Sequence, residues 1–265
     1  MLNARSFQII SCQANIYTPE LQFRTNRVLA YLLEKHSDRL NADPISLPIP
    51  ADAPAEFPRI VLQSADKGLA LQAGPASLVL TQQADTIQPD ALKGFLEFAL
   101  SVFAGYLEAM PCQARRVACV VNRFAPDENG AKNLAAHFCK DELLADPLDR
   151  PSDFEVHAAK QFKFGGWLAI SSWFRCKSVS VKFGEAPLVP GVMIMQDFNS
   201  AVVEHEDAKP LSTEQVCRFF QNAPEELQLV VNRYFPSPQD GEALNAVHAA
   251  LKDSKGLLPG EGNHG

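Results

Sequence analysis

Long apolar runs are missing from this chain. No stretch approaches the roughly 20 residues that a helix needs to cross a bilayer. The opening Met1-Leu2-Asn3-Ala4-Arg5-Ser6-Phe7 has no apolar core followed by a small-residue cleavage site, so no secretory leader is expected. Cys-x-x-Cys pairs are absent too. The six cysteines (Cys12, Cys112, Cys119, Cys139, Cys176 and Cys217) are scattered, which reads as free thiols in a reducing compartment. Cys119, inside Val117-Ala118-Cys119-Val120-Val121, has the setting of a small hydrophobe. The expected location is a cytoplasm, of a bacterium by style.

Positive charge is in short supply. Lys and Arg total 24 against 31 Asp and Glu, a net charge of −7. An acidic surface opposes attraction to phosphate backbones and anionic membranes, so nucleic acid and membrane are disfavoured as partners. Also absent are Gly-x-x-x-x-Gly-Lys-Ser/Thr, Gly-x-Gly-x-x-Gly, Gly-x-Ser-x-Gly and His-Glu-x-x-His. Without these nucleotide, dinucleotide, hydrolase and zinc-protease signatures, an enzyme is the less favoured reading. No catalytic residue, cofactor or metal is assigned.

What is present is a phrase that occurs twice. Val120-Val121-Asn122-Arg123-Phe124-Ala125-Pro126 returns as Val230-Val231-Asn232-Arg233-Tyr234-Phe235-Pro236. With a one-residue shift, Gly130 and His137 meet Gly241 and His248. The phrase suggests two related halves, although a shared tetrapeptide also arises by chance in a chain this long.

Periodicity fills in the elements. Residues 7–17 read as a strand, and Pro19 opens a helix to about residue 40 with Leu21, Val28, Leu29, Leu32 and Leu33 on one face. Five prolines between 43 and 58 exclude a helix or central strand there. Ile60–Leu62, Leu69–Leu71 and Ser77–Thr81, parted by Asp66-Lys67-Gly68 and Gly74-Pro75, form a meander. Residues 90–110 carry a wide apolar stripe from Leu92 to Met110, and Arg115–Phe124 is an interior strand before a helix near 129–139. The acidic, proline-bearing 141–151 is the candidate boundary. Beyond it, 154–164, 167–183 and 192–203 read as strands. Ser212-Thr213-Glu214-Gln215 is a capping box that opens a helix to about 222. Residues 225–235 fit strand or helix, with the repeat favouring strand. A last helix near 240–252 precedes a Gly-rich tail at 254–265.

The expected fold class is α+β, in two sequential halves that the repeat marks as duplicated. Each half is an antiparallel sheet with helices on one face. Residues 1–145 have the order β-α-β-β-β-α-β-α, which is ferredoxin-like, and 152–253 form the second half.

The chain resembles a family of sporadically distributed bacterial proteins of about this length with no established activity. The resemblance is carried by Ile60-Val61-Leu62-Gln63-Ser64, Leu69-Ala70-Leu71-Gln72, the long helix that follows and Val121-Asn122-Arg123-Phe124-Ala125-Pro126. Met195-Gln196-Asp197-Phe198-Asn199 and Leu211-Ser212-Thr213-Glu214 fall where that family has similar segments. It implies an accessory or partner-binding role, and a helical last segment that argues against a strand at 225–235.

Four groups merit weighing as sites. Glu204-His205-Glu206-Asp207 is dense in metal-ligand types, but neighbours on a strand point apart, so a polar loop is favoured. His137 and Cys139 lie two apart on a helix, a poor geometry for a nucleophile and its base. Arg123 and Arg233, pseudo-equivalent in the repeat, could clamp an anion, or each could pair with a nearby carboxylate. Together with Asp197 they mark where a pocket between the halves would lie, for a small-molecule binder or enzyme. On an ideal strand Trp167, Ser171, Trp173 and Arg175 share one face, and Leu168, Ile170, Phe174 and Cys176 take the other. If the aliphatic side covers the helices, Trp167, Trp173 and Arg175, joined by His157 and Lys163, form an aromatic and cationic protein-binding surface. Such a face can also stack single-stranded nucleic acid. Buried indoles are the alternative. The leading expectation is a non-enzymatic bacterial protein that binds a protein partner, as antitoxins, immunity proteins and defence-system subunits do.

Overall fold

The computed structural model describes residues 2–19, 22–50, 53–87, 89–140, 144, 151–201 and 210–237. The expected boundary lies almost wholly outside these residues. The 204–207 cluster, the helix at 240–252 and the 254–265 tail lie outside them altogether.

After a short 3-10 turn at Ala4–Ser6 the elements run β1 (Gln8–Tyr17), α1 (Thr25–His36), β2 (Ile45–Ser46), β3 (Ile60–Gln63), β4 (Leu69–Ala73), β5 (Ser77–Ile87), α2 (Pro89–Ala109), β6 (Arg116–Pro126), α3 (Gly130–Phe138), β7 (Glu155–Phe164), β8 (Leu168–Val181), β9 (Val189–Ser200) and α4 (Thr213–Tyr234). Every strand of the described residues joins one antiparallel sheet of nine in the order β2-β3-β4-β5-β1-β6-β9-β8-β7. The fold is α+β. Within the first half β4, β5, β1 and β6, with α1 and α2, keep the ferredoxin-like order, β1 lying between β5 and β6. The strands of the second half continue the same sheet through the β6–β9 ladder.

Alternation decides which side of the sheet is covered. In β1, Cys12, Ala14 and Ile16 are buried, whereas Ser11 and Gln13 are only half-buried. Register carries that division across the sheet: Ala14 lies opposite Cys119, and Cys119 opposite Phe198. The main core joins these residues to α1, α2 and α4, and a smaller cluster packs Leu134 of α3 and Phe235 against Phe174, Cys176, Val192 and Ile194. The four helices of the described residues therefore lie on one side. Phe198 stacks on Phe219 with centroids 5.3 Å apart, and Phe219 meets Phe220 edge-on at 5.0 Å.

Two elements differ from the sequence reading. α1 begins at Thr25 rather than at Pro19. Tyr17 and Thr18 are still bonded to Arg115 and Ala76 at the end of β1, so the chain must climb from the sheet to the helix layer before it can coil. α4 does not stop near 222 but runs to Tyr234, through Pro224. Pro224 has no N–H to give the Phe220 carbonyl, yet the buried stripe of Val216, Phe219, Phe220, Ala223, Leu227 and Val231 continues on both sides of it. The second copy of the repeated phrase is thus helical, whereas the first lies in strand β6, so the two copies do not mark a common structural unit.

One glycine shapes the sheet locally. A Cβ at Gly191 would stand 2.5 Å from the Phe124 ring, so only glycine lets β9 pass beneath it. Phe124 in turn meets Phe183 of the β8–β9 connection at 5.6 Å.

Candidate functional site

The described helices all lie on one side of the sheet, and the other side carries none of them. It is covered where Phe183 meets Phe124 and where Asn15, Ala118 and Asn199 lie buried in one row, and no described helix packs on it. One strand in from the β7 edge stands Trp173, 43 % exposed. In register it stands between Ala159 of β7 and Asp197 of β9, and beyond Asp197 lie Val120 and Gln13. The small Ala159 leaves room on that flank for the His157 ring. The next row reads His157, Arg175, Met195, Asn122 and Ser11.

Short polar links organise this face. The Trp173 indole N–H donates to Ser171 Oγ at 3.0 Å, and the His157 ring lies 5.0 Å from the indole, tilted by 32°. Arg175 clasps Glu155 with two hydrogen bonds, the one from Nη2 at 2.9 Å. That clasp holds the Glu155 carboxyl below its usual range and raises the Arg175 guanidinium. Further in, Arg116 Nη2 donates to Asn199 Oδ1 at 2.8 Å and Asn199 Nδ2 donates to Asp197 Oδ1 at 2.9 Å. The Arg116 guanidinium also lies 5.0 Å from the Tyr17 ring centre. The indole is held in place by its own strand and flanked by charges of both signs. Such an arrangement can anchor a protein surface through apolar contact and tune specificity at its rim.

The expected residues separate into groups. Trp173, Arg175 and His157 come together, and Lys163, six residue pairs along the β7–β8 ladder from His157, is on the same side by alternation. Trp167 is not with them. It precedes β8, in a turn where Gly165 and Gly166 take φ of 55° and 78°. There it packs on the helix-side core with Arg218 of α4 5.7 Å from its ring. The paired glycines end the alternation assumed from Trp167 onward, which is why the reading from strand period misplaced it.

Arg123 and Arg233 do not occupy equivalent places. Arg123 is 2 % exposed on the helix side of β6, where its Nε donates to Gln196 Oε1 at 3.0 Å. Burial pulls its guanidinium down to about 10. Arg233 is exposed on the last turn of α4, and Asp197 points to the free face, so the three residues do not converge. His137 donates from Nε2 to the Tyr234 carbonyl at 2.6 Å and stacks on Phe235 at 4.7 Å, which ties α3 to the end of α4. All six cysteines are free. Among the described residues no group of three or more His, Cys, Asp and Glu could hold a metal ion. No helix of the described residues is long and apolar enough to cross a membrane.

Tyr17, Arg116 and Asn199 also belong to the free face, although the sequence reading did not select them. The polar alternation of Ser11, Gln13 and Asn15 in β1 was the available signal. No protein-family model matches this chain and no curated protein matches it, so its function is read from its own geometry.

Proposed function

We propose that this chain is a non-enzymatic binding protein whose partner is another protein seated on the free face of the sheet, around Trp173. The observation that carries the reading is the exposure of that indole on a side no described helix covers, beside His157 and Arg175. Large exposed aromatics are costly on an idle surface and enriched where partners dock. The acidic charge and the lack of catalytic signatures favour an accessory role in a bacterial cytoplasm, of the antitoxin, immunity or defence-subunit kind.

The test is affinity capture of the tagged chain from its source cells, with native mass spectrometry of the eluate. The expected result is one protein at fixed stoichiometry, lost on Trp173→Ala while Trp167→Phe retains it. A chain that elutes alone, or with a small bound mass, overturns the reading.

A further inference from the structure

The two edges of the sheet are unlike. β2 is two residues long and is followed by Pro48 and Pro50, which blunt it against added strands. β7 runs ten residues with no proline and no register shift, and among the described residues nothing pairs with its outer edge. Its hydrogen-bond phase is set where Ser178 N donates to the Phe154 carbonyl at 3.1 Å. Antiparallel ladders alternate, so the even-numbered residues of β7 bond inward to β8. The N–H and C=O of Glu155, His157, Ala159, Gln161 and Lys163 therefore point outward.

Beside this edge a groove of about 450 Å³ runs between the helix-facing side of β7 and α4. Phe162 and Val230 give it apolar walls, and Leu229 stands 42 % exposed at its lip. Lys160 and Arg233 line it against a single acid, Glu226, and Lys163 borders it at the strand edge from the other face. On a chain of net charge −7, this is a local surplus of positive charge.

We propose that an extended acidic segment of a partner protein adds to β7 as a tenth strand, with apolar residues in the β7–α4 groove and carboxylates against Lys160 and Arg233. Backbone bonds to the outward groups supply affinity, and the groove selects alternate side chains. A second copy of the chain is the poorer occupant, because edge-to-edge pairing brings two cationic grooves together. This site goes beyond the Trp173 reading and stands without it, since its backbone edge and groove exclude that indole.

The experiment selects random twelve-residue peptides displayed on phage against the immobilised full chain. Fluorescein-labelled synthetic copies of the enriched peptides are then titrated by anisotropy. Enriched sequences are expected to carry apolar residues and Asp or Glu at every second position, the set of side chains that faces the groove. Binding is expected to weaken at least tenfold on Ala159→Pro, which removes an outward N–H, and on the surface double variant Lys160→Glu/Arg233→Glu. The double variant keeps the test sound should the proline disturb β7, and circular dichroism checks both folds. Trp173→Ala is expected to bind the peptides within twofold of the parent, so the two readings fail separately. Enrichment of no shared pattern, a pattern without acids, or binding that survives the charge reversal overturns the proposal. A homodimer in native mass spectrometry that Ala159→Pro dissociates also overturns it.

Discussion

Arg123 donates its Nε–H to Gln196 Oε1 at 3.0 Å inside the core, and Gln196 Nε2 donates in turn to the Leu227 carbonyl at 2.7 Å. A buried guanidinium is thus held by a neutral amide, which relays to α4. Its Nη2 has no partner among the described residues. Removing the amide strands a buried charge, which costs more than the bond itself contributes. Gln196→Leu is expected to lower stability by about 3 kcal/mol in urea titration. The double variant Arg123→Met/Gln196→Leu, which removes both polar groups at similar volume, is expected to recover most of that loss. A double variant no more stable than Gln196→Leu alone would show that the guanidinium is not the source of the cost.

How much of this was legible in the sequence follows from where period and burial agree. The stripe of α2 and the interior strand β6 were plain because one face of each is apolar throughout. β8 was legible from Leu168 on, and with it the display of Trp173 and Arg175. Trp167 was not, because two glycines with positive φ end the strand period that sequence alone would extend. α4 was hidden by Pro224 and by a phrase shared with a strand, since Val-Val-Asn-Arg is compatible with either backbone and its neighbours decide. In β6 the even-numbered residues face the open side and Arg123 turns inward, whereas on α4 it is Val231 that is buried and Arg233 that is exposed. The joining of both halves into one sheet depends on the β6–β9 pairing, a long-range contact with no local signal.

The thiols provide a second expectation. Cys12, Cys119 and Cys176 are buried, and burial raises Cys12 and Cys176 to about 12 from 9.0. Unfolded thiols ionise near pH 9 while these two stay protonated in the native state. The unfolded chain then binds fewer protons, and stability falls as pH rises from about 9 toward 12. The urea midpoint is expected to drop between pH 8.5 and 10, and the drop to be shallower in Cys12→Ala. With Ellman's reagent at pH 8, Cys12, Cys119 and Cys176 are expected to react only in denaturant. Rapid labelling of all six thiols in the native protein would contradict the packed core.

At the other end of the pH scale, His36 is buried at the end of α1, edge-on to Phe98 at 5.9 Å, with Nε2 unpartnered among the described residues. Desolvation lowers its pKa from 6.5, against a weaker opposing pull from Asp38. A neutral imidazole is favoured in the folded state, so its stability is fully present above about pH 6.5 and is lost as pH falls below that value. The loss between pH 7 and 5 is expected to be smaller in His36→Leu than in the parent, measured by thermal melting at matched ionic strength. Equal slopes would mean that the imidazole is hydrated in solution.

The two faces of the sheet call for opposite responses to removal of an aromatic ring. Phe219 lies in the stacked cluster with Phe198 and Phe220, under α4, and Phe219→Ala leaves a cavity that rigid neighbours cannot fill. The expected cost is about 3–5 kcal/mol. Among the described residues Trp173 meets the His157 ring and Ser171 Oγ, both on its own face of the sheet. Trp173→Ala is therefore expected to change the urea midpoint by no more than a surface substitution does, within about 0.5 kcal/mol. A large side chain that contributes little to folding yet is held in position by a hydrogen bond is better explained by a contact outside the chain. If Trp173→Ala destabilises the protein as strongly as Phe219→Ala, the indole belongs to the fold, and the free face loses its central argument as a docking surface.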